Sequence, residues 1–150
     1  MRKQLTVLLI EDSREFAALV QRWLVPQDDT DFIFHWSDSL ANGLDLLAKG
    51  GVDAVLLDLG LSDSKGLETF TKASTQAHGV PIVVLSGEDT ALALRMVRQG
   101  AQDYLIKTAC NSDLLVKALL YAVGRSGHKT TEDDLVGDIQ VWLARGRSKA

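Results

Sequence analysis

The sequence predicts an α/β protein: a five-stranded parallel sheet, doubly wound with helices on both faces, plus a short C-terminal helix. Three observations predict it. Short β-prone apolar runs alternate with stretches of helical periodicity, in five such units. Several of the runs are apolar throughout rather than alternating, as strands buried on both faces are. Finally, the runs end repeatedly in acids, a hydroxyl or a lysine. In open α/β sheets, chemistry gathers outside the C-terminal ends of the strands.

The elements follow in order. Leu5-Thr6-Val7-Leu8-Leu9-Ile10 is the first strand, cut off by Glu11-Asp12. Residues 13–25 place Phe16, Ala17, Leu19, Val20, Trp23 and Leu24 on one helical face, and Pro26 stops the helix. Phe32-Ile33-Phe34-His35-Trp36 is the second strand. Ser39 caps a helix carrying Leu40, Gly43, Leu44, Leu47 and Ala48, closed by Gly50-Gly51. Ala54-Val55-Leu56-Leu57-Asp58 is the third strand, and the loop Leu59 to Gly66 leads to a helix with Leu67, Phe70 and Ala73. Pro81 to Ser86 is the fourth strand, followed by a helix from Asp89 to Arg98 that Gly100 ends. Asp103 to Lys107 is the fifth strand. Ser112 or Asp113 opens a helix with Leu114, Leu115, Ala118, Leu119, Ala122 and Val123. Right-handed crossovers put these helices on both faces.

After Arg125 the pattern changes. The domain is expected over residues 1–125 and an extension over 126–150. In the extension Leu135, Val136, Ile139, Trp142 and Leu143 fall at helical spacing, with acids before them and Arg145, Arg147 and Lys149 after, which complements a helix dipole. The plainer reading is a helix packed back on the domain. The sharper one is a dimerising segment or the start of a connector to an output module.

Bulk composition narrows the classes. The 150 residues are 46% hydrophobic and 24% charged, ordinary for one globular domain. The single cysteine, Cys110, excludes an internal disulfide and a cysteine metal cluster and fits a reducing cytoplasm. The short first run lacks the length and cleavage site of a signal peptide, and no stretch approaches a membrane span. The net charge of −4 argues against direct nucleic-acid binding, which usually shows a basic surplus. His35, His78 and His128 are scattered and read as structural or surface residues.

The strand ends carry the chemistry. Strand one ends in Glu11-Asp12, strand three in Asp58, strand four in Ser86-Gly87 and strand five in Lys107. Brought together, three carboxylates cannot all stay ionised without a counter-charge. Mg²⁺ suits such a set of oxygens and also takes a phosphoryl oxygen. Lys107 and Ser86 offer a charge and a hydrogen bond for two more. What remains is a carboxylate nucleophile, and Asp forms phosphoaspartate in known chemistry. Each residue alone has a plain explanation: Asp12 as a helix cap, Lys107 as a solvated charge, Ser86-Gly87 as an ordinary loop. Their joint placement at four strand ends is what points to a site.

With these residues in view, the sequence resembles the receiver domain of two-component response regulators, of the chemotaxis-regulator-like kind, from about Lys3 to Arg125. The carriers are Val7 to Ser13, Asp58 to Thr69, Val84 to Gly87 and Gly100 to Lys107. The resemblance implies a flavodoxin-like sheet of order 2-1-3-4-5. It implies Asp58 as phosphoacceptor and Mg²⁺ held by Glu11, Asp12, Asp58 and the Gly60 carbonyl. Ser86 and Lys107 would contact the phosphoryl group, and Tyr104 would be a switch that turns inward as Ser86 moves. The implied partners are a sensor histidine kinase or phosphotransfer protein, a downstream protein or output domain, and a second copy through the face of helix 4, strand 5 and helix 5. The implied role is signalling without turnover.

Two departures stand out. Thr108 follows Lys107 where the family usually has proline, so the Lys107–Thr108 bond is expected to be trans. Ser62 replaces a common proline, which is expected to loosen the loop after Asp58. Glu88 and Gly60 flank the pocket and are expected to tune hydrolysis. Two rival functions remain. A degenerate receiver would signal without phosphorylation, against which the intact Glu11, Asp12, Asp58, Ser86 and Lys107 argue. A phosphohydrolase of the haloacid dehalogenase type needs a general acid two residues after the nucleophile, where this chain has Gly60. About 25 residues after Arg125 leave no room for a DNA-binding or second enzymatic domain, so the chain is expected to act through protein contacts or to be part of a longer regulator.

Overall fold

The computed structural model describes residues 2–87 and 90–125, except for the side chains of Thr90, Ala93 and Leu94. The expectations for Glu88 and for the 126–150 extension lie outside these residues. The elements are β1 (Lys3–Ile10), α1 (Arg14–Trp23), β2 (Thr30–Ser37), α2 (Leu40–Ala48), β3 (Ala54–Asp58), α3 (Gly66–Ala77), β4 (Ile82–Ser86), α4 (Thr90–Arg98), β5 (Asp103–Ile106) and α5 (Ser112–Arg125). The strands form one parallel sheet of order β2-β1-β3-β4-β5. No described helix is long and apolar enough to cross a membrane.

The two-residue period of the strands sorts the core into two layers. Leu8, Ile10, Val55, Leu57, Ile82, Val84 and Tyr104 face one way and pack with residues of α2, α3 and α4. Val7, Leu9, Ala54, Leu56, Val83, Leu85 and Leu105 face the other way and pack with α1 and α5. Gly43 lets α2 lie close on β1, since a Cβ there would stand 2.5 Å from Ile10 Cδ1.

Helix starts follow local chemistry. The Ser13 hydroxyl accepts the Phe16 amide at 3.2 Å, so Ser13 and not Asp12 caps α1. Ser39 caps α2 through the Asn42 amide at 3.1 Å, as the sequence predicts. α5 opens at Ser112, one of the two positions expected from sequence, and Asn111 caps it, its side chain accepting the Leu114 amide at 2.9 Å. Lys107 falls outside its predicted strand: it opens a 3₁₀ turn, Lys107–Ala109, directly after β5. No cis peptide bond occurs among the described residues, so Lys107–Thr108 is trans.

Candidate phosphoryl-transfer site

The register of the sheet assembles the pocket. Ile10 lies beside Leu57 and Asp58 beside Leu85, so the exits of β1, β3 and β4 are level. Ser86 pairs with Ile106, which places Ser86 and Lys107 at the same rim. β4 separates β3 from β5, and it ends in the small residues Ser86 and Gly87. The stem of Lys107 therefore reaches across its end.

The carboxylates converge as predicted. Ligand atoms of Glu11, Asp12 and Asp58 all lie within 4.8 Å of one another. Glu11 and Asp58 are buried, and Asp12 is exposed at the mouth. Lys107 Nζ stands 2.7 Å from Glu11 Oε2 and 3.3 Å from Asp58 Oδ1. It also lies 4.7 Å from the centre of the Phe16 ring, a cation–π contact that stiffens its approach. Glu11 Oε1 accepts the Ser13 amide at 3.1 Å. Asp58 Oδ1 accepts the Gly60 amide at 3.1 Å, so both the amide and the ammonium fall on this one oxygen. Oδ2 is left for other chemistry.

Burial is the main cause that raises the Glu11 carboxyl above its ordinary value, and the Asp58 charge adds to it. The ammonium of Lys107 and the Ser13 amide oppose this without cancelling it. Glu11 Oε2 meets Lys107 as an ion pair, not as an aligned hydrogen bond, and finds no other partner among the described residues. One ammonium thus faces two buried carboxylates, with a third close by. A buried, incompletely satisfied carboxylate oxygen among hard oxygen donors fits a divalent cation such as Mg²⁺.

The loop after Asp58, which carries Ser62, is bonded at both of its ends. The Leu59 amide extends the ladder to the Leu85 carbonyl at 3.2 Å, and the Gly66 amide closes on the Leu59 carbonyl at 2.9 Å. Gly60 pairs with Lys65, and Leu61 is fully buried. The buried hydroxyls of Ser64 and Thr69 bond to each other at 2.8 Å. Asp63 reaches back to α2, where its carboxylate accepts the amides of Leu40 and Ala41 at 3.0 and 3.1 Å. Those amides hold the Asp63 carboxyl below its ordinary value.

Tyr104 is buried, 1% exposed, with its hydroxyl donating to the Gly87 carbonyl at 3.4 Å. The ring already holds the inward position that the sequence reading assigned to the switched form. Three contacts near the site were missed from sequence: Phe16 beneath Lys107, the Asp63 clamp, and Trp36, whose indole N–H donates to the Glu11 carbonyl at 2.6 Å. No local signal announces them, because their partners are distant in sequence. Burial pushes the thiol of Cys110, just past the Lys107 turn, up to about 12, which disfavours the reactive thiolate. His35 and His78 are exposed, and neither belongs to a metal cluster among the described residues. His128 lies outside them.

Comparison with known proteins agrees with this geometry. The family model of the response regulator receiver domain matches residues 7–119. The regulatory protein LuxO of Vibrio cholerae is 31% identical over 109 residues, 71% of this chain and 23% of LuxO. The swarming motility regulation protein RssB of Serratia marcescens is 30% identical over 118 residues, 77% of this chain and 52% of RssB. The KDP operon transcriptional regulatory protein KdpE of Escherichia coli is 32% identical over 141 residues, 92% of this chain and 60% of KdpE. The chain thus spans only part of the length of these relatives. Among solved structures, a response regulator receiver domain protein from Clostridium thermocellum superposes with a TM-score of 0.70 at 20% identity, covering 82% of this chain and 97% of that one. Chemotaxis protein CheY4 of Vibrio cholerae gives 0.67 at 22% identity, covering 79% and 98%. At that identity these two speak for the fold. Parallel strands in the order 2-1-3-4-5, acids gathered at their exits and a family match over most of the chain lead to one conclusion: this chain is a member of the response regulator receiver domain family of two-component systems.

Proposed function

We propose that the chain accepts a phosphoryl group on Asp58 from a phosphorylated histidine of a kinase or phosphotransfer protein, and signals by changing its surface. The observation that carries this reading is the under-neutralised pair: buried Glu11 and Asp58 share one ammonium, Lys107. Oδ2 of Asp58 attacks phosphorus, the bond from phosphorus to the donor's imidazole nitrogen breaks, and the imidazole leaves with the electron pair. Glu11, Asp12, Asp58 and the Gly60 carbonyl would hold Mg²⁺, which supplies charge neutralisation for the acids and for a phosphoryl oxygen. Lys107 offers its ammonium to a second phosphoryl oxygen, and Ser86 its hydroxyl to a third.

The product carries more negative charge than the carboxylate did. Moving Ser86 toward that charge drags Gly87, and Gly87 carries the carbonyl that Tyr104 bonds. The Tyr104 ring couples the pocket to the face formed by α4, β5 and α5, where a second copy or an output partner would dock. We place the protein in the cytoplasm, where kinases of this kind present their phosphohistidine, and regard it as a switch without turnover.

Incubation with Mg²⁺ and acetyl phosphate, followed by intact mass, tests the reading. Wild type should gain one phosphoryl group and Asp58→Asn none. Equal labelling of Asp58→Asn would overturn the assignment. A wild type that binds neither Mg²⁺ nor beryllofluoride would make it a phosphorylation-independent receiver.

A further inference from the structure

Glu11 is fixed through its backbone as well as its side chain. Its amide donates to the Ser37 carbonyl at 3.0 Å, and its carbonyl accepts the Trp36 indole N–H at 2.6 Å. Both bonds come from the end of β2, the neighbouring edge strand. The second bears on chemistry. The Glu11 carbonyl belongs to the peptide that joins Glu11 to Asp12, and the tilt of that peptide sets where the Asp12 side chain begins. Asp12 is exposed, so its placement depends on its backbone.

Trp36 itself is 37% exposed, so burial explains only part of its presence. The ring lines an open cleft beside Asn42, Asp45 and Lys49 on one side and reaches the Glu11 carbonyl with its nitrogen. Phenylalanine would cover the same strand but carries no N–H to donate.

We propose that Trp36 is a positioning residue for the acidic pocket: its indole N–H holds the Glu11–Asp12 peptide so that both carboxylates face Asp58 ready for a divalent cation. This rests on the reading of Glu11, Asp12 and Asp58 as the Mg²⁺ site. Groups that orient metal ligands typically contribute about 10–100-fold to metal affinity. The role differs from a stabilising contact because it concerns the angle of a peptide more than the packing of a ring.

The test is an NMR titration of the full chain with Mg²⁺ alone, with no phosphodonor. In the wild type the Trp36 indole proton should exchange slowly with solvent before any metal is added. Its signal should then move with the same dissociation constant as the Asp12 and Asp58 amides. Trp36→Phe should weaken Mg²⁺ binding by about tenfold and shift the Glu11 carbonyl carbon. Ile33→Ala, a truncation at another exposed position of β2, should leave the affinity alone even where it lowers the melting temperature. Wild-type Mg²⁺ affinity in Trp36→Phe overturns the positioning role, and so does an indole proton that exchanges at the free rate. Equal weakening by Trp36→Phe and Ile33→Ala would reduce the residue to ordinary stability and overturn it too. If Trp36→Phe does not fold, benzothienylalanine at that position keeps the shape and lacks the N–H, and the same criteria apply. A wild type with no Mg²⁺ response sinks the metal reading itself, which separates that failure from an unchanged affinity in the variant.

Discussion

The two ends of the sheet each carry an ion-pair cluster, and the two are built differently. At the entry end the Arg2 guanidinium forks onto Asp31, with Nη2 2.8 Å from Oδ1 and Nε 3.0 Å from Oδ2. It also donates to the carbonyls of Gln27 and Asp28 at 2.7 and 2.8 Å. The Arg2 and Asp31 side chains remain 46% and 39% exposed. The guanidinium forks onto one carboxylate, with Asp28 and Asp29 nearby, and water reaches both partners of the pair. At the exit end Lys107 stands between two carboxylates that water barely reaches. Their ionisation differs accordingly. The bond from Arg2 is the main cause that lowers the Asp31 carboxyl, whereas burial is the main cause that raises Glu11. A closed surface pair asks for nothing more. A buried cluster of carboxylates around one ammonium fits a further cation.

Substitutions at the two ends should diverge. Lys107→Ala should slow acetyl-phosphate labelling by about a hundredfold, the order of loss when one preorganised charge donor is removed. Mg²⁺ should still bind, because the ammonium no longer competes for Glu11. Labelling at the wild-type rate would mean that Lys107 only balances charge. Glu11→Gln should weaken Mg²⁺ binding by at least about tenfold and also change the pH response. The folded-state value of Glu11 is raised, so its contribution is fully present below its ordinary 4.5 and is lost as pH rises through the folded value. Without metal, wild-type stability should therefore fall over that rise, and Glu11→Gln should remove that part of the slope. Thermal melts across pH, with and without Mg²⁺, check both points.

Asp63→Ala sits between the extremes. It removes a carboxylate that caps two amides at the start of α2, for a cost of about 1 kcal/mol. Urea denaturation measures it, and a cost indistinguishable from zero would show the clamp to be incidental. Arg2→Ala should have the smallest effect, leaving labelling and Mg²⁺ affinity unchanged. The Asp31 value is lowered, so that pair is lost only as pH falls through a value below the ordinary 3.8. If Arg2→Ala slowed labelling as Lys107→Ala does, the two ends would not be independent and the contrast would fail.

The sequence by itself determined the elements and where the residues of the candidate site stand in the sheet. Apolar runs such as Leu56-Leu57 before Asp58 announce strands buried on both faces, and residues at strand exits are exposed to the same rule in every open α/β sheet. Glu11, Asp12, Asp58, Ser86 and Lys107 were legible for that reason. The end of the fifth strand was less legible: Lys107 continues the run in sequence but opens a 3₁₀ turn, because hydrogen bonding and not composition ends an element. Only the tertiary structure decided which contacts prepare the site. Lys107 reaches Glu11 across the small exit of β4, Asp63 clamps a helix 23 positions back, and Trp36 holds a carbonyl 25 positions away. Spacing along the chain encodes periodicity, and periodicity says which face a residue takes. It does not say which distant atom meets it there, since that depends on strand order, register and the reach of side chains once the sheet is assembled.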